Sequence, residues 1–156
     1  MAAELVVPVT RVRAAADPLP LPRYMTADAA GMDIYADLTE DLTILSLGRA
    51  LIPTGFALAL PQGYEAQVRP RSGLAFRSGL TILNSPGTID ADYREEVQIL
   101  VINLGDQPVQ IRRGERIAQL VVAPITRVRW QEVEQLEPTD RGGGFGHTDT
   151  KKPSDA

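Results

Sequence analysis

The sequence predicts a single all-β domain with one short helix. Its apolar residues occur in short runs rich in Val, Ile and Leu. Turn residues separate these runs at intervals of about 8 to 12 residues, a spacing typical of β-sandwiches and barrels. The length of 156 residues fits one domain better than two, and the 13 glycines and 12 prolines favour many turns.

Eight apolar runs are predicted to form strands, because β-branched and aliphatic residues fit a half-buried pleated surface. In chain order they are residues 5–12, 42–47, 51–60, 64–68, 79–83, 97–103, 109–111 and 117–130. Residues 72–78 are the one segment that resembles a helix, and the hydroxyl of Ser72 is predicted to cap it. After about residue 131 the sequence becomes polar and glycine-rich, and it cannot form a core of its own.

The composition excludes several classes of site. The chain has no cysteine and one histidine, so disulfides, thiolate nucleophiles and multi-histidine metal sites are excluded, and a metal ion would have to bind oxygen. The formal net charge of −4 does not favour a nucleic acid partner. No apolar stretch approaches the roughly 20 residues that cross a bilayer, and the N-terminus lacks the pattern of a signal peptide. We therefore expect a cytoplasmic protein without membrane or nucleic acid partners.

A predicted anion site lies where a strand ends and the helix begins, at residues 70–75. Arg71, Ser72 and Gly73 combine a guanidinium, a hydroxyl and the free N–H groups of a helix N-terminus. These groups suit a phosphate, because the charge and the dipole act in the same direction. The alternative interpretation is a helix cap beside a surface arginine.

A second constellation spans residues 84–94, before the strand predicted at 97–103. Gly87 permits close approach of the backbone to a ligand, Asp90 places a carboxylate at the junction of a strand and a turn, and Tyr93 offers a flat ring. A base and a platform are therefore expected together. The four acidic residues at positions 90, 92, 95 and 96 also allow a solvated hairpin tip.

Three weaker signals accompany these two. Asp33 interrupts an apolar strand start, where a carboxylate can hold a water of a metal ion or simply form a turn. Gln119 follows a charged turn at residues 113–116, which is otherwise an ordinary hairpin turn. Residues 141–148 carry a cation, a ring and a glycine-rich backbone that can fold over a phosphate, or form a disordered tail.

Together and in this order, these segments resemble the five ordered motifs of the homotrimeric deoxyuridine triphosphatases (dUTPases). The matching segments are residues 30–33, 70–73, 87–93, 113–120 and 141–148. The resemblance implies a distorted jelly-roll or β-clip barrel, and a homotrimer whose three active sites are each assembled from three subunits. It also implies a β domain over residues 1–136 and a flexible C-terminal arm over 137–156 that closes on a neighbouring site.

The resemblance implies hydrolysis of dUTP to dUMP and pyrophosphate, which lowers dUTP and supplies dUMP for thymidylate synthesis. Asp90 would be the general base for a water that attacks the α-phosphorus. Tyr93 would lie under the deoxyribose and exclude a 2′-hydroxyl. The uracil pocket would be formed by Asn84, Gly87, Thr88, Ile89 and Gln98.

The phosphate groups would be held by Arg71, Ser72, Gly73 and Gln119. By the same resemblance, Mg²⁺ would be chelated by the triphosphate, with Asp33 contacting it through water. In the arm, Phe145 would stack on uracil, and the γ-phosphate would meet Arg141, Gly146 and Thr148. The arm departs from the family pattern, because three residues instead of four separate Arg141 from Phe145. This shortening removes up to about 3.5 Å of reach.

Two alternatives remain open at this point. A dCTP deaminase shares the fold, but the third motif has no glutamate placed for deamination. A non-catalytic trimeric binding or signalling module could lose Asp90 or Arg71 without loss of stability, whereas both residues are present.

Overall fold

The computed structural model describes residues 4–140, which form twelve strands and one helix. The strands are β1 (Val9–Arg11), β2 (Arg23–Tyr24), β3 (Met32–Tyr35), β4 (Leu42–Ile44), β5 (Arg49–Pro53), β6 (Phe56–Leu58), β7 (Tyr64–Pro70), β8 (Leu80–Ile82), β9 (Gly87–Ile89), β10 (Gln98–Asn103), β11 (Val109–Ile111) and β12 (Arg116–Pro124). The helix α1 (Ser72–Ser78) lies between β7 and β8. The predicted all-β class with one short helix is confirmed.

The strands form antiparallel sheets whose order depends on contacts between distant parts of the chain. The largest sheet has the order β2-β3-β12-β7-β9, and a second sheet has the order β5-β10-β8. Two further pairs, β1-β6 and β11-β4, complete the arrangement. In the large sheet β7 lies between β12 and β9, so it connects the regions that carry most of the predicted site residues.

The core consists mainly of aliphatic side chains from the inward faces of these sheets. Strand β10 illustrates the pattern: Ile99 and Val101 are fully buried, while Gln98, the first residue of the strand, is exposed. Ile34 and Ile52 are also fully buried. Burial of each such side chain contributes about 1.5 to 3 kcal/mol to folding, so the short strands are stabilised chiefly by their packing.

The strand predictions were right in position but often wrong in extent. The run at 51–60 forms part of two strands, because the chain turns at Gly55, whose φ is 78°. The run at 117–130 ends as a strand at Pro124. Strands β2, β3 and β9 lay outside the eight predicted runs, and each has only two to four residues. Strand β2 pairs with the nearby β3, whereas β9 pairs with β7, which lies on the other side of the helix in sequence.

The helix has the predicted span, but the predicted cap was wrong. Arg71 occupies the N-cap position without a side-chain capping bond, and Ser72 is the first helical residue. The helix ends at Gly79, which has a φ of 72°. A Cβ at Gly79 would overlap the backbone of Gly105, so glycine is required there for both reasons. Within residues 4–140, no helix is both long and apolar enough to cross a membrane.

Candidate active site

Three polar side chains converge around the buried carboxylate of Asp33, and we call these four residues the arginine cluster: Asp33, Arg71, Arg116 and Gln119. Asp33 lies in β3 and is only 2% exposed. Arg116 Nη1 donates to Asp33 Oδ2 over 3.0 Å, and Gln119 Nε2 donates to Asp33 Oδ1 over 3.2 Å. Arg71 Nε lies 3.5 Å from Asp33 Oδ1. Segments remote in sequence therefore meet at one carboxylate.

The position of Arg71 follows from its place between β7 and α1. Its Nη1 donates to the main-chain oxygen of Arg116 over 3.0 Å, which holds the guanidinium over β12. A guanidinium has five N–H donors, so further donors remain for a ligand. The N–H groups of Ser72 and Gly73 start the helix, where intrahelical partners do not exist. With two guanidinium groups and one carboxylate, the cluster carries a net positive charge suited to an anion.

The backbone at Gly87 is packed closely against two side chains of the same chain. A Cβ on Gly87 would lie 3.2 Å from Nδ2 of Asn84 and 3.4 Å from Cβ of Val68. Asn84 and Thr88 are exposed, whereas Ile89 is buried. Asn84 therefore lies beside the backbone of β9, where it and the exposed groups of that strand are accessible to a ligand.

Asp90 directly follows β9 and is exposed. It lines a cavity of about 530 Å³ together with Glu65, Arg94 and Arg127. A larger cavity of about 660 Å³ is lined mainly by apolar side chains and contains none of the predicted site residues. The size of a cavity is therefore not a guide to the candidate site in this chain.

Tyr93 is fixed at both ends. Its main-chain N–H donates to the carbonyl oxygen of Asp90 over 3.1 Å, and its hydroxyl donates to the carbonyl oxygen of Glu96 over 2.9 Å. Tyr93 is 39% exposed as a residue, so part of its surface can contact a ligand. Gln98 begins β10 after this segment and is exposed.

Asp90 and the arginine cluster lie far apart within one chain. Asp33 pairs with Gln119, which pairs with Arg69 of β7, whereas Ile89 pairs with Ala66. By this register Asp33 and Asp90 are offset by about 13 Å along the strands. Three strand spacings separate them by about 14 Å across the sheet, so the distance between these two residues is about 19 Å. A general base must lie within hydrogen-bond reach of the reacting water. Within one chain, Asp90 and the arginine cluster are therefore two separate groups of candidate residues.

Sequence reasoning assigned no role to Arg116, although it lies within the predicted fourth motif. No sequence pattern marks it, because its contact with Asp33 depends on the register of β12 against β3, which shifts between Arg116 and Ala118. Glu96 and Arg13 were also missed. They are bonded to each other from positions 83 residues apart, so no local pattern indicates the pair. The predicted arm residues, Arg141, Phe145, Gly146 and Thr148, lie outside the described residues.

The model of the dUTPase family matches residues 17–149. The chain belongs to the dUTPase family. It is 63% identical over 131 residues to the deoxyuridine 5′-triphosphate nucleotidohydrolase of Desulfotalea psychrophila, covering 83% of this chain and 87% of that protein. It is 58% identical over 134 residues to the enzyme of the same name from Rhizobium rhizogenes, covering 83% and 85%. The family resemblance predicted from the motifs is thus confirmed.

Solved structures of dUTPases share the fold. The Staphylococcus bacteriophage 80alpha dUTPase with dUpNHpp has a TM-score of 0.78 and 27% identity, covering 90% of this chain and 96% of that one. A mutant dUTPase from phage phi11 of S. aureus, described with a structural Mg(II) ion, has a TM-score of 0.74 and 24% identity, covering 86% and 100%. The predicted distorted jelly-roll fold is confirmed by this likeness to dUTPases.

Proposed function

We propose that this protein hydrolyses dUTP to dUMP and pyrophosphate, with water attacking the α-phosphorus and Asp90 as the general base. The observation that carries the proposal is the arginine cluster, in which the first, second and fourth family motifs meet around Asp33. Its net positive charge suits a triphosphate. Removal of dUTP and supply of dUMP for thymidylate synthesis, in the cytoplasm, follow as predictions.

Arg71, Ser72, Gly73 and Gln119 form the phosphate-binding part of the proposal. The bonds of Arg71 to Asp33 and to the carbonyl of Arg116 hold its guanidinium in place before a ligand arrives. Preorganised donors stabilise developing charge without a cost of rearrangement at the moment of reaction. Arg116 joins this part, because its guanidinium lies beside the same carboxylate and its side chain is 41% exposed.

Asn84, Gly87, Thr88, Ile89 and Gln98 form the proposed uracil pocket. The amide of Asn84 and the backbone of β9 can pair with the polar edge of a base, as the close approach at Gly87 supports. A base that presents a donor where the pocket expects an acceptor leaves polar groups unpaired, at about 1 to 3 kcal/mol each. The partly exposed ring of Tyr93 is the proposed platform for deoxyribose.

The exposure of Asp90 and its position on an open cavity support its proposed action on a water molecule. As general base it accepts a proton from the water as oxygen attacks the α-phosphorus, and pyrophosphate leaves from the opposite side. General-base assistance by one positioned side chain contributes about 10²- to 10⁴-fold, which is only part of an enzymatic acceleration. Most of the acceleration is therefore assigned to positioning of the water and to neutralisation of phosphate charge.

A homotrimer with shared sites is part of the proposal. The separation of about 19 Å between Asp90 and the arginine cluster supports a site that takes these two parts from different copies. The segment after β12 gives a second reason. Residues 126–140 are exposed, and their large apolar side chains are uncovered within one chain: Val128, Trp130, Val133 and Leu136. Such a row of apolar residues is expected to pack on a partner.

Mg²⁺ enters the proposal as an ion carried by the triphosphate. In residues 4–140 no group of three acidic or histidine side chains is arranged to hold a metal. Asp33 does not fit a direct ligand role as it lies, because both of its oxygens accept hydrogen bonds from the cluster. The ion would neutralise charge on the phosphates. The water-mediated contact with Asp33 stays a prediction, and the observed bonds favour a role in anchoring the arginines.

The C-terminal arm completes the proposal through residues beyond the described part of the chain. Phe145 is proposed to stack on uracil, and Arg141, Gly146 and Thr148 to contact the γ-phosphate. Stacking of a base on an aromatic ring contributes about 1 to 3 kcal/mol. Because one residue fewer separates Arg141 from Phe145 than in the usual pattern, truncation after residue 140 tests how much this arm contributes.

The direct test is release of pyrophosphate from dUTP in the presence of Mg²⁺, with UTP, dCTP and dTTP compared at equal concentration. We expect rapid release from dUTP and much slower release from the other three nucleotides. Ammonia release from dCTP would instead indicate the deaminase. Binding of dUTP without release of pyrophosphate would indicate a binding or signalling module, and either result would contradict the proposal.

A further inference from the structure

The position of the Tyr93 ring depends on the main chain of Glu96. The Tyr93 hydroxyl donates to that residue's carbonyl oxygen over 2.9 Å. The next residue, Val97, is attached to the first residue of β6, because its N–H donates to the carbonyl oxygen of Phe56 over 2.9 Å. The acceptor of the Tyr93 hydroxyl therefore belongs to a segment that is fixed to the body of the domain.

The side chain of Glu96 provides the strongest attachment of this segment. Arg13 donates to both carboxylate oxygens, with Nη1 2.9 Å from Oε2 and Nη2 2.8 Å from Oε1. The main-chain N–H groups of Gly55 and Thr54 donate to Oε1 over 2.8 and 3.2 Å. Two-pronged, charge-assisted bonds of this kind fix geometry as well as adding stability. The Arg13 guanidinium also holds the pKa of Glu96 below its ordinary value, so the carboxylate stays charged.

Arg13 is held in turn by a second carboxylate. Its Nη2 lies 2.9 Å from Oδ2 of Asp37. A Cβ at Gly55 would collide with that Asp37 carboxylate, and the φ of Gly55 is 78°. Position 55 therefore requires glycine. The side chain of Glu96 is 18% exposed, whereas that of Arg13 is 44% exposed. The carboxylate is therefore the more buried partner, and four donors from Arg13, Thr54 and Gly55 hold it in place.

We propose that Glu96, held by Arg13, is a positioning residue for sugar recognition: it fixes the oxygen that binds the Tyr93 hydroxyl and thereby sets the height of the ring below the sugar. The inference rests on the proposed function, because it concerns the choice between 2′-deoxyribose and ribose. The Glu96 carboxylate binds Arg13 and the Thr54–Gly55 backbone, so it acts through Tyr93 and does not bind the nucleotide.

The test compares kcat/KM for dUTP and for UTP in Glu96→Gln, in Tyr93→Phe and in the double variant. Each single change is expected to reduce the dUTP/UTP ratio about tenfold, since a ring that can move leaves room for a 2′-hydroxyl. Because both changes act through one hydrogen bond, the double variant should show no further loss. An unchanged ratio in Glu96→Gln, or losses that multiply in the double variant, would overturn the inference.

The control is Arg112→Gln, which removes an exposed ion pair with Asp41 and should leave the ratio unchanged. If Glu96→Gln fails to fold, Arg13→Lys keeps the charge but loses the two-pronged geometry, and it should reduce the ratio in the same direction. Amide hydrogen exchange of residues 91–97 is a readout that needs no turnover. Faster exchange there in Glu96→Gln, but not in α1, is expected; equal exchange would refute the positioning role even if dUTP hydrolysis itself were absent.

Discussion

The arginine cluster and the Asp90 region are organised in opposite ways. In the cluster, polar groups from β3, β12 and the start of α1 bind one another around a buried carboxylate. In the Asp90 region, Asp90, Asn84 and Thr88 are exposed. Within one chain, the polar groups of the proposed anion-binding part already contact one another, whereas the proposed base-recognition part is open to solvent. An open part of this kind is what a neighbouring copy can complete.

The largest effect is expected from a substitution in the Asp90 region. Asp90→Asn keeps the shape of the side chain but removes its ability to accept a proton, so kcat for dUTP should fall about 10³-fold. Binding of a non-hydrolysable dUTP analogue and the oligomeric state should remain close to those of the original protein. Stopped-flow proton release and calorimetric binding measure the two properties. Normal turnover in this variant would remove Asp90 from its proposed role.

A smaller loss of activity is expected from a substitution in the arginine cluster. Asp33→Asn leaves Arg71 and Arg116 without their shared carboxylate, so the guanidinium groups can shift from the phosphate positions. We expect kcat/KM for dUTP to fall about 10- to 100-fold, as misplacement of a positioning group by about 1 Å does elsewhere. Steady-state kinetics at several Mg²⁺ concentrations checks this.

The Mg²⁺ series separates the two roles of Asp33. If Asp33 anchors the arginines, the loss should persist at saturating Mg²⁺, whereas full recovery would favour the water-mediated metal contact. Asp41→Asn is the matched control, because Asp41 binds Arg112 on an exposed surface. It should change kcat/KM by less than a factor of two.

Removal of the Tyr93 ring should change the selectivity between deoxyribose and ribose, while dUTP is still hydrolysed. Tyr93→Ala deletes the ring, so UTP should be hydrolysed about tenfold better relative to dUTP. The ratio of kcat/KM values for the two nucleotides is the measurement. The same ratio as in the original protein would contradict the steric role of the ring.

The smallest effect concerns stability and pH. Because Arg13 lowers the pKa of Glu96, the pair stabilises the fold above the ordinary value of 4.5 and loses this contribution as pH falls through the lowered folded pKa. Glu96→Gln should reduce the free energy of unfolding by about 1 kcal/mol at pH 7. Urea titrations should show the difference shrinking below pH 4.5, and a constant difference would argue against the ion pair.

The features that could be predicted from the sequence are elements bounded by turn residues and the order of motifs along the chain. The helix at residues 72–78 and the strand at 109–111 were placed correctly, since turn residues bound both. Strand β9 was missed because three residues paired with remote β7 leave no alternation to recognise. The cap at Ser72 was wrong because the chain turns one residue earlier, where Arg71 is held by β12.

In the candidate site, too, the order of motifs could be predicted, whereas the contacts between distant segments could not. The motif order indicated which residues belong together, but not that Asp33 would be buried beneath Arg71 and Arg116, because that contact depends on the register of three strands. The pair of Arg13 and Glu96 lies 83 residues apart and carries no motif. Contacts set by sheet topology are therefore what the sequence could not provide.

The most direct test of the account asks whether Asp90 and Arg71 of one active site come from different copies of the chain. Asp90→Asn and Arg71→Gln chains, each expected to be nearly inactive alone, are mixed in equal amounts, unfolded and refolded together. If each site takes its base from one copy and its phosphate-binding arginine from a neighbour, one site in about four is intact, and the mixture should recover about a quarter of the original activity. No recovery, with mixed oligomers present by native mass spectrometry, would show that both residues act within one chain and would contradict the account.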